Sequence, residues 1–79
     1  MEPELKKSII EHVLGKRKKL EITGPPQLLA ALYEAVEASK NLLKNLREGR
    51  STDVIRQSLE RRQNAADRYK KVTGEDWDI

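Results

Sequence analysis

The chain has 79 residues, enough for one small domain, and carries interspersed charges of both signs that net to +3. With no cysteine, no phenylalanine, one tryptophan and two tyrosines, it excludes disulfides, thiolate nucleophiles and cysteine metal sites, and its core must rest on leucine, isoleucine, valine and alanine. No apolar run approaches the roughly 18–20 residues that span a bilayer, and no secretory signal is read ahead of the first charged segment, so the expectation is a soluble cytoplasmic protein.

Every glycine and proline falls where a helix should start or stop. Pro3 opens the first periodic segment and Gly15 closes it; Gly24, Pro25 and Pro26 precede the second, Gly49 ends it, and Gly74 ends the third. Proline suits the first helical turn, where its missing N–H is not needed, and glycine suits the left-handed position beyond the last turn. The pattern predicts one all-α domain over 1–79: helices over about 3–14, 26–48 and 52–73, an extended connector over 16–24 and a tail over 74–79.

In the first helix Leu5, Ile9 and Val13 form an apolar stripe with Ile10 and Leu14 beside it. The connector alternates Leu20 and Ile22 with Glu21 and Thr23. It reads as an extended link tucking two apolar side chains against the core, in preference to a strand over 18–23 pairing with its own copy. The second helix has two apolar rows. One is Leu29, Leu32, Val36, Ser39, Leu43 and Leu46, and the other is Leu28, Ala31, Ala35, Ala38 and Leu42. That face is too wide for one partner, which makes this the central helix, contacting at least two others.

The third helix should be capped by Ser51 or Thr52 and carries Ile55, Leu59, Ala66 and Tyr69 along one stripe. Its length matches the second, and the short link at Gly49 implies an antiparallel hairpin in which facing residue numbers sum to about 100. Ala35 then meets Ala65 and Ala66, Leu32 meets Tyr69, and Leu46 meets Val54 and Ile55. Arg62 interrupts the stripe. It is expected to snorkel along the interface, the alternative being a carboxylate on a neighbouring subunit.

Little in the sequence carries catalysis. His12 is a lone imidazole without a nucleophile or second ligand at workable spacing, so it reads as an ordinary surface histidine, and Gly24-Pro25-Pro26-Gln27 lacks the ending of a phosphate loop. No cofactor, metal or enzymatic activity is expected. The basic run Lys16, Arg17, Lys18 and Lys19 suits nucleic-acid phosphates, although the acidic tail residues Glu75, Asp76 and Asp78 are expected nearby as partial neutralisers. Gln57, Arg61, Asn64, Arg68 and Lys71 share a polar face of the third helix, interrupted by carboxylates in ordinary i,i+4 pairs, Arg56–Glu60 and Asp67–Lys71.

Two features point to a partner. The first helix is half the length of the others and cannot cover the whole second helix, leaving Leu42, Leu43 and Leu46 as a docking or self-association surface. Trp77, with Ile79 at the end of the tail, either folds back to plug the hairpin's open end near Leu28 and Tyr69 or anchors another chain. The leading expectation is a non-enzymatic interaction module, a regulatory, adaptor or assembly protein that self-associates. The first helix can also reach a neighbouring subunit to give a swapped dimer. The runner-up is a nucleic-acid binder using Lys16, Arg17, Lys18 and Lys19 with Arg61, Arg68 and Lys71.

Overall fold

The computed structural model describes residues 1–79 and contains three helices and no strand: α1 over Pro3–Val13, α2 over Pro26–Arg47 and α3 over Thr52–Thr73. The helix limits follow the expected punctuation. Pro3 and Pro26 occupy first-turn positions, and Ser51 caps α3 by accepting the Val54 N–H at 3.4 Å. Gly74 sits at φ +78°, a left-handed conformation that ends α3 and turns the chain back towards α2. Thr73 supports the reversal by accepting the Glu75 N–H at 3.1 Å while donating to the Tyr69 carbonyl.

α2 and α3 form the antiparallel hairpin in the expected register. Asn45 and Asn41 of α2 both donate to the Ser58 hydroxyl of α3, and Arg68 pairs with Glu34, partners whose numbers sum to within a few of 100. Ala31, Ala35, Ala38 and Ala65 are fully buried, which permits the close backbone approach that small residues allow. α1 packs on α2 alone and makes no helix–helix contact with α3. The connector has no regular structure. Leu20 and Ile22 pack against the core, and Tyr33 of α2 donates to the Leu20 carbonyl at 3.1 Å.

The tail corrects one candidate. Trp77 is only 6% exposed and belongs to the core with Ile9, Leu32, Val36 and Tyr69, so it is unavailable as an anchor for another chain. Its indole meets the Tyr69 ring edge-on, with centroids 5.1 Å apart, and its N–H donates to the Ser39 hydroxyl at 2.9 Å. The plug therefore reaches well along α2, beyond the hairpin's open end where Leu28 lies. Ser39, the polar member of an apolar row, is there to receive it. Around the indole, Glu75 takes the N-terminal ammonium at 2.8 Å, Asp76 pairs with Lys70 at 2.9 Å and Asp78 with Lys6 at 2.7 Å. The tail thus fills the space between α1 and α3 that no helix contact closes.

Replacing Trp77 tests this wedge. Trp77→Ala should cost about 3–5 kcal/mol, comparable with a total stability on the order of 5 kcal/mol for a chain this small. Ser39→Ala keeps the ring packing but strands one buried N–H, costing about 1–3 kcal/mol. Urea unfolding followed by circular dichroism measures both, and a Trp77→Ala chain as stable as the parent would remove the tail from the core.

Candidate interaction groove

On the Gly49 side of Trp77, part of the apolar face of α2 is left open. Ser39, Leu42, Leu43 and Leu46 form the floor of an open groove of about 360 Å³, with Ile10, Val13 and Leu14 of α1 along one wall. Arg62 of α3 stands on the other side, and Asp78 and Ile79 lie at the tail end. The spacing accounts for the arrangement: positions 39, 43 and 46 share one face of α2, and 10, 13 and 14 one face of α1. α1 ends at Val13, so Leu46 remains 52% exposed, Leu14 38% and Ile10 37%.

The expected surface residues thus meet in one place. Leu42 and Leu43 are half-buried in the floor, Leu46 is exposed at its end, and Ile79 is half-buried, packed against the core while also lining the groove. Leu59, one turn from Arg62 on the same stripe of α3, is as exposed as Leu46. Arg62 is half-buried, lines the groove and makes no ion pair within the chain.

A second, polar depression of about 470 Å³ adjoins the first and shares Val13 and Leu43 with it. Lys40, Lys44 and Arg47 of α2 and Arg61 of α3 line it, with Glu37, Glu48 and His12. Lys40 pairs with Glu37 at 3.5 Å, and Glu48 pairs with Arg50 at 3.7 Å. Lys44, Arg47 and Arg61 have no carboxylate partner. His12 is half-buried and works as a clip: Nδ1 lies 2.8 Å from the Arg17 carbonyl and Nε2 3.2 Å from the Lys40 ammonium. With Nδ1 donating and Nε2 accepting, the ring ties α1 to the connector and to α2. No three histidine, aspartate or glutamate side chains converge to hold a metal ion.

The nucleic-acid candidates are divided between α3 and the segment after α1. Lys16, Arg17, Lys18 and Lys19 are exposed after α1, where Arg17 and Lys19 line a shallow depression beside Leu5 and Ser8. Their expected neutralisation by the tail does not occur, because Glu75, Asp76 and Asp78 go instead to the N-terminus, Lys70 and Lys6. On α3, Arg61 lines the polar depression, Arg68 is tied to Glu34, and Lys71 is exposed on the last turns. The expected Arg56–Glu60 and Asp67–Lys71 pairs are also absent: Arg56 reaches back to Asp53 and Asp67 accepts from Gln63. The i,i+3 contact and the neutral donor are equally close on a helix surface. Sequence reasoning did not single out Asn41, Asn45 and Ser58 as a polar clasp, although Asn45 recurring four residues after Asn41 on one face was the available signal.

Comparison with known proteins returns no match: no family model, no curated protein and no solved structure is significantly similar to this chain.

The tail's ion pairs make the groove's closed end sensitive to acid. The hydrogen bond from Lys6 holds the Asp78 carboxyl below its ordinary value, and the N-terminal ammonium does the same for Glu75. Carboxylates lowered on folding contribute stability above their unfolded pKa and lose it as pH falls through the lower folded value, so release occurs below about pH 4. Burial and the nearby Glu75 charge raise the Tyr69 phenol, so its contribution holds below about pH 10 and is lost as pH rises through the higher folded value. On acidification Trp77 emission should shift to the red before helical circular dichroism falls, and Lys6→Gln should reduce the separation. Coincident transitions in the parent would show that the tail is not a separate unit.

Proposed function

We propose that this protein is a non-enzymatic interaction module, a small regulatory, adaptor or assembly protein that receives a partner polypeptide, or a second copy of itself, in the groove over Leu42, Leu43 and Leu46. The supporting observation is that three of the six exposed large apolar side chains, Ile10, Leu14 and Leu46, border one concavity. A contiguous apolar patch with a polar rim is the usual mark of a contact surface. Trp77, packed on Tyr69 and bonded to Ser39 at one end of the groove, joins α1 and α2 in one core before any partner arrives, and such preorganisation reduces the entropy cost of association. The cytoplasmic setting expected from the cysteine-free sequence belongs to the same reading.

One observation favours nucleic-acid binding as the second reading: Lys16, Lys18 and Lys19 are exposed and make no ion pair within the chain. Its weakness is geometric, since Arg68 is engaged by Glu34 and the remaining cations are divided between the connector and α3.

A photo-crosslinking side chain at position 46 tests the first reading. In extract from the source cell it should give a discrete adduct that is lost on adding Leu42→Glu, while a probe at exposed Arg56 gives none. The adduct's mass separates a second copy from another protein. Leu46→Glu should leave stability within about 0.5 kcal/mol of the parent, as expected at an exposed site. Identical labelling from both positions, together with DNA or RNA binding that weakens steeply with salt, would replace the first reading with the second.

A further inference from the structure

Resting on that reading, we infer that the groove's occupant is an acidic amphipathic helix of another protein. Two features of the surface carry this. The apolar groove and the polar depression share Val13 and Leu43 as a common ridge, so one ligand can contact both. Cations without carboxylate partners lie on both sides of the apolar floor: Arg62 on the α3 side, and Arg47 beyond the ridge one turn from Leu43, with Lys44 and Arg61 farther round in the polar depression. A ligand with an apolar stripe flanked by carboxylates complements both features.

The ligand's backbone points to a helix. An extended segment over Leu42, Leu43 and Leu46 would turn half of its N–H and C=O groups towards apolar side chains, and all three elements of this chain are helices offering no strand edge to pair with. A helix satisfies its own backbone and presents anchors at i, i+3 or i+4 and i+7. The floor from Ser39 to Leu46 extends on the order of 10 Å, room for about two turns.

Charge argues against a second copy. A two-fold contact through this face would set the flanking cations of one copy, Arg62, Lys44 and Arg47, against those of the other, on a chain whose net charge is already +3. An acidic helix gains attraction where the copy meets repulsion.

The test is a displayed library of short helical peptides with leucine fixed at i, i+3, i+4 and i+7 and the flanking positions drawn from Glu, Gln and Lys, selected on the full-length chain. Glutamate should be enriched at the flanks. The best peptide should perturb the amide resonances of Leu42, Leu46 and Arg62, and its affinity should fall with added salt. Replacing Lys44→Glu, Arg47→Glu and Arg62→Glu together should weaken it about tenfold, mostly through slower association, and shift enrichment towards lysine. Circular dichroism of that variant confirms that it remains folded. Enrichment of lysine, or no flank preference, overturns the acidic partner but leaves the interaction module. Failure of every peptide, with dimerisation abolished by Leu46→Glu, overturns it in favour of a second copy. Failure of every peptide with a monomer at all concentrations and no adduct from position 46 overturns both.

Discussion

The indole of Trp77, held between Tyr69 and Ser39, is the contact on which the rest of this structure depends. A long hairpin of two helices buries one face of each, but its central helix has more apolar surface than its partner covers. α1 covers part of the remainder without reaching α3. The gap is filled by one large side chain whose single polar atom finds its hydroxyl partner on α2. Its flanking carboxylates then bind Lys6 of α1, Lys70 of α3 and the N-terminal ammonium, so three charge pairs surround one buried ring. Exposed ion pairs contribute little individually. Here they fix the direction of the tail, and burial of the ring supplies the stability.

The same wedge gives the molecule two different ends. Near the open end of the hairpin α1, α2, α3 and the tail close over one core. Towards Gly49 α1 ends at Val13, and Leu46 of the apolar row of α2 stands exposed. Asn41, Asn45 and Ser58 hold the hairpin together there with hydrogen bonds, and Ser58 itself donates to the Val54 carbonyl. A polar clasp on one face of α2 and uncovered leucines on the other let this end remain folded while presenting apolar surface. Where charge lies around that surface determines what it can receive.

The helices and their pairing were legible from residues close in sequence. Pro3, Pro26, Gly49 and Gly74 act on the backbone within a turn of themselves, and the three- and four-residue steps of α2 and α3 place their apolar rows whatever else is present. The short link at Gly49 leaves an antiparallel hairpin as the simple outcome, and alanine facing alanine sets its register. The uncovered leucines followed from length alone, since an 11-residue α1 cannot span a 22-residue α2. Local rules sufficed because the backbone and the helical period decide these features within a few residues.

Tertiary structure alone decided the destinations of the tail and of the charges. Trp77 could equally have faced a partner, and only the unfilled space between α1 and α3, with Ser39 at its floor, draws it inward. The acidic residues that should have answered Lys16–Lys19 were taken by Lys6, Lys70 and the N-terminus once that ring was seated. Contacts such as Trp77–Ser39 and Lys6–Asp78 join residues far apart in the chain. No period or propensity specifies them, because they depend on the volume that three packed helices leave unfilled. Helix ends and helix pairing are therefore properties of this sequence read locally, while the buried tryptophan and the unpaired cations around the groove are properties of the packed whole.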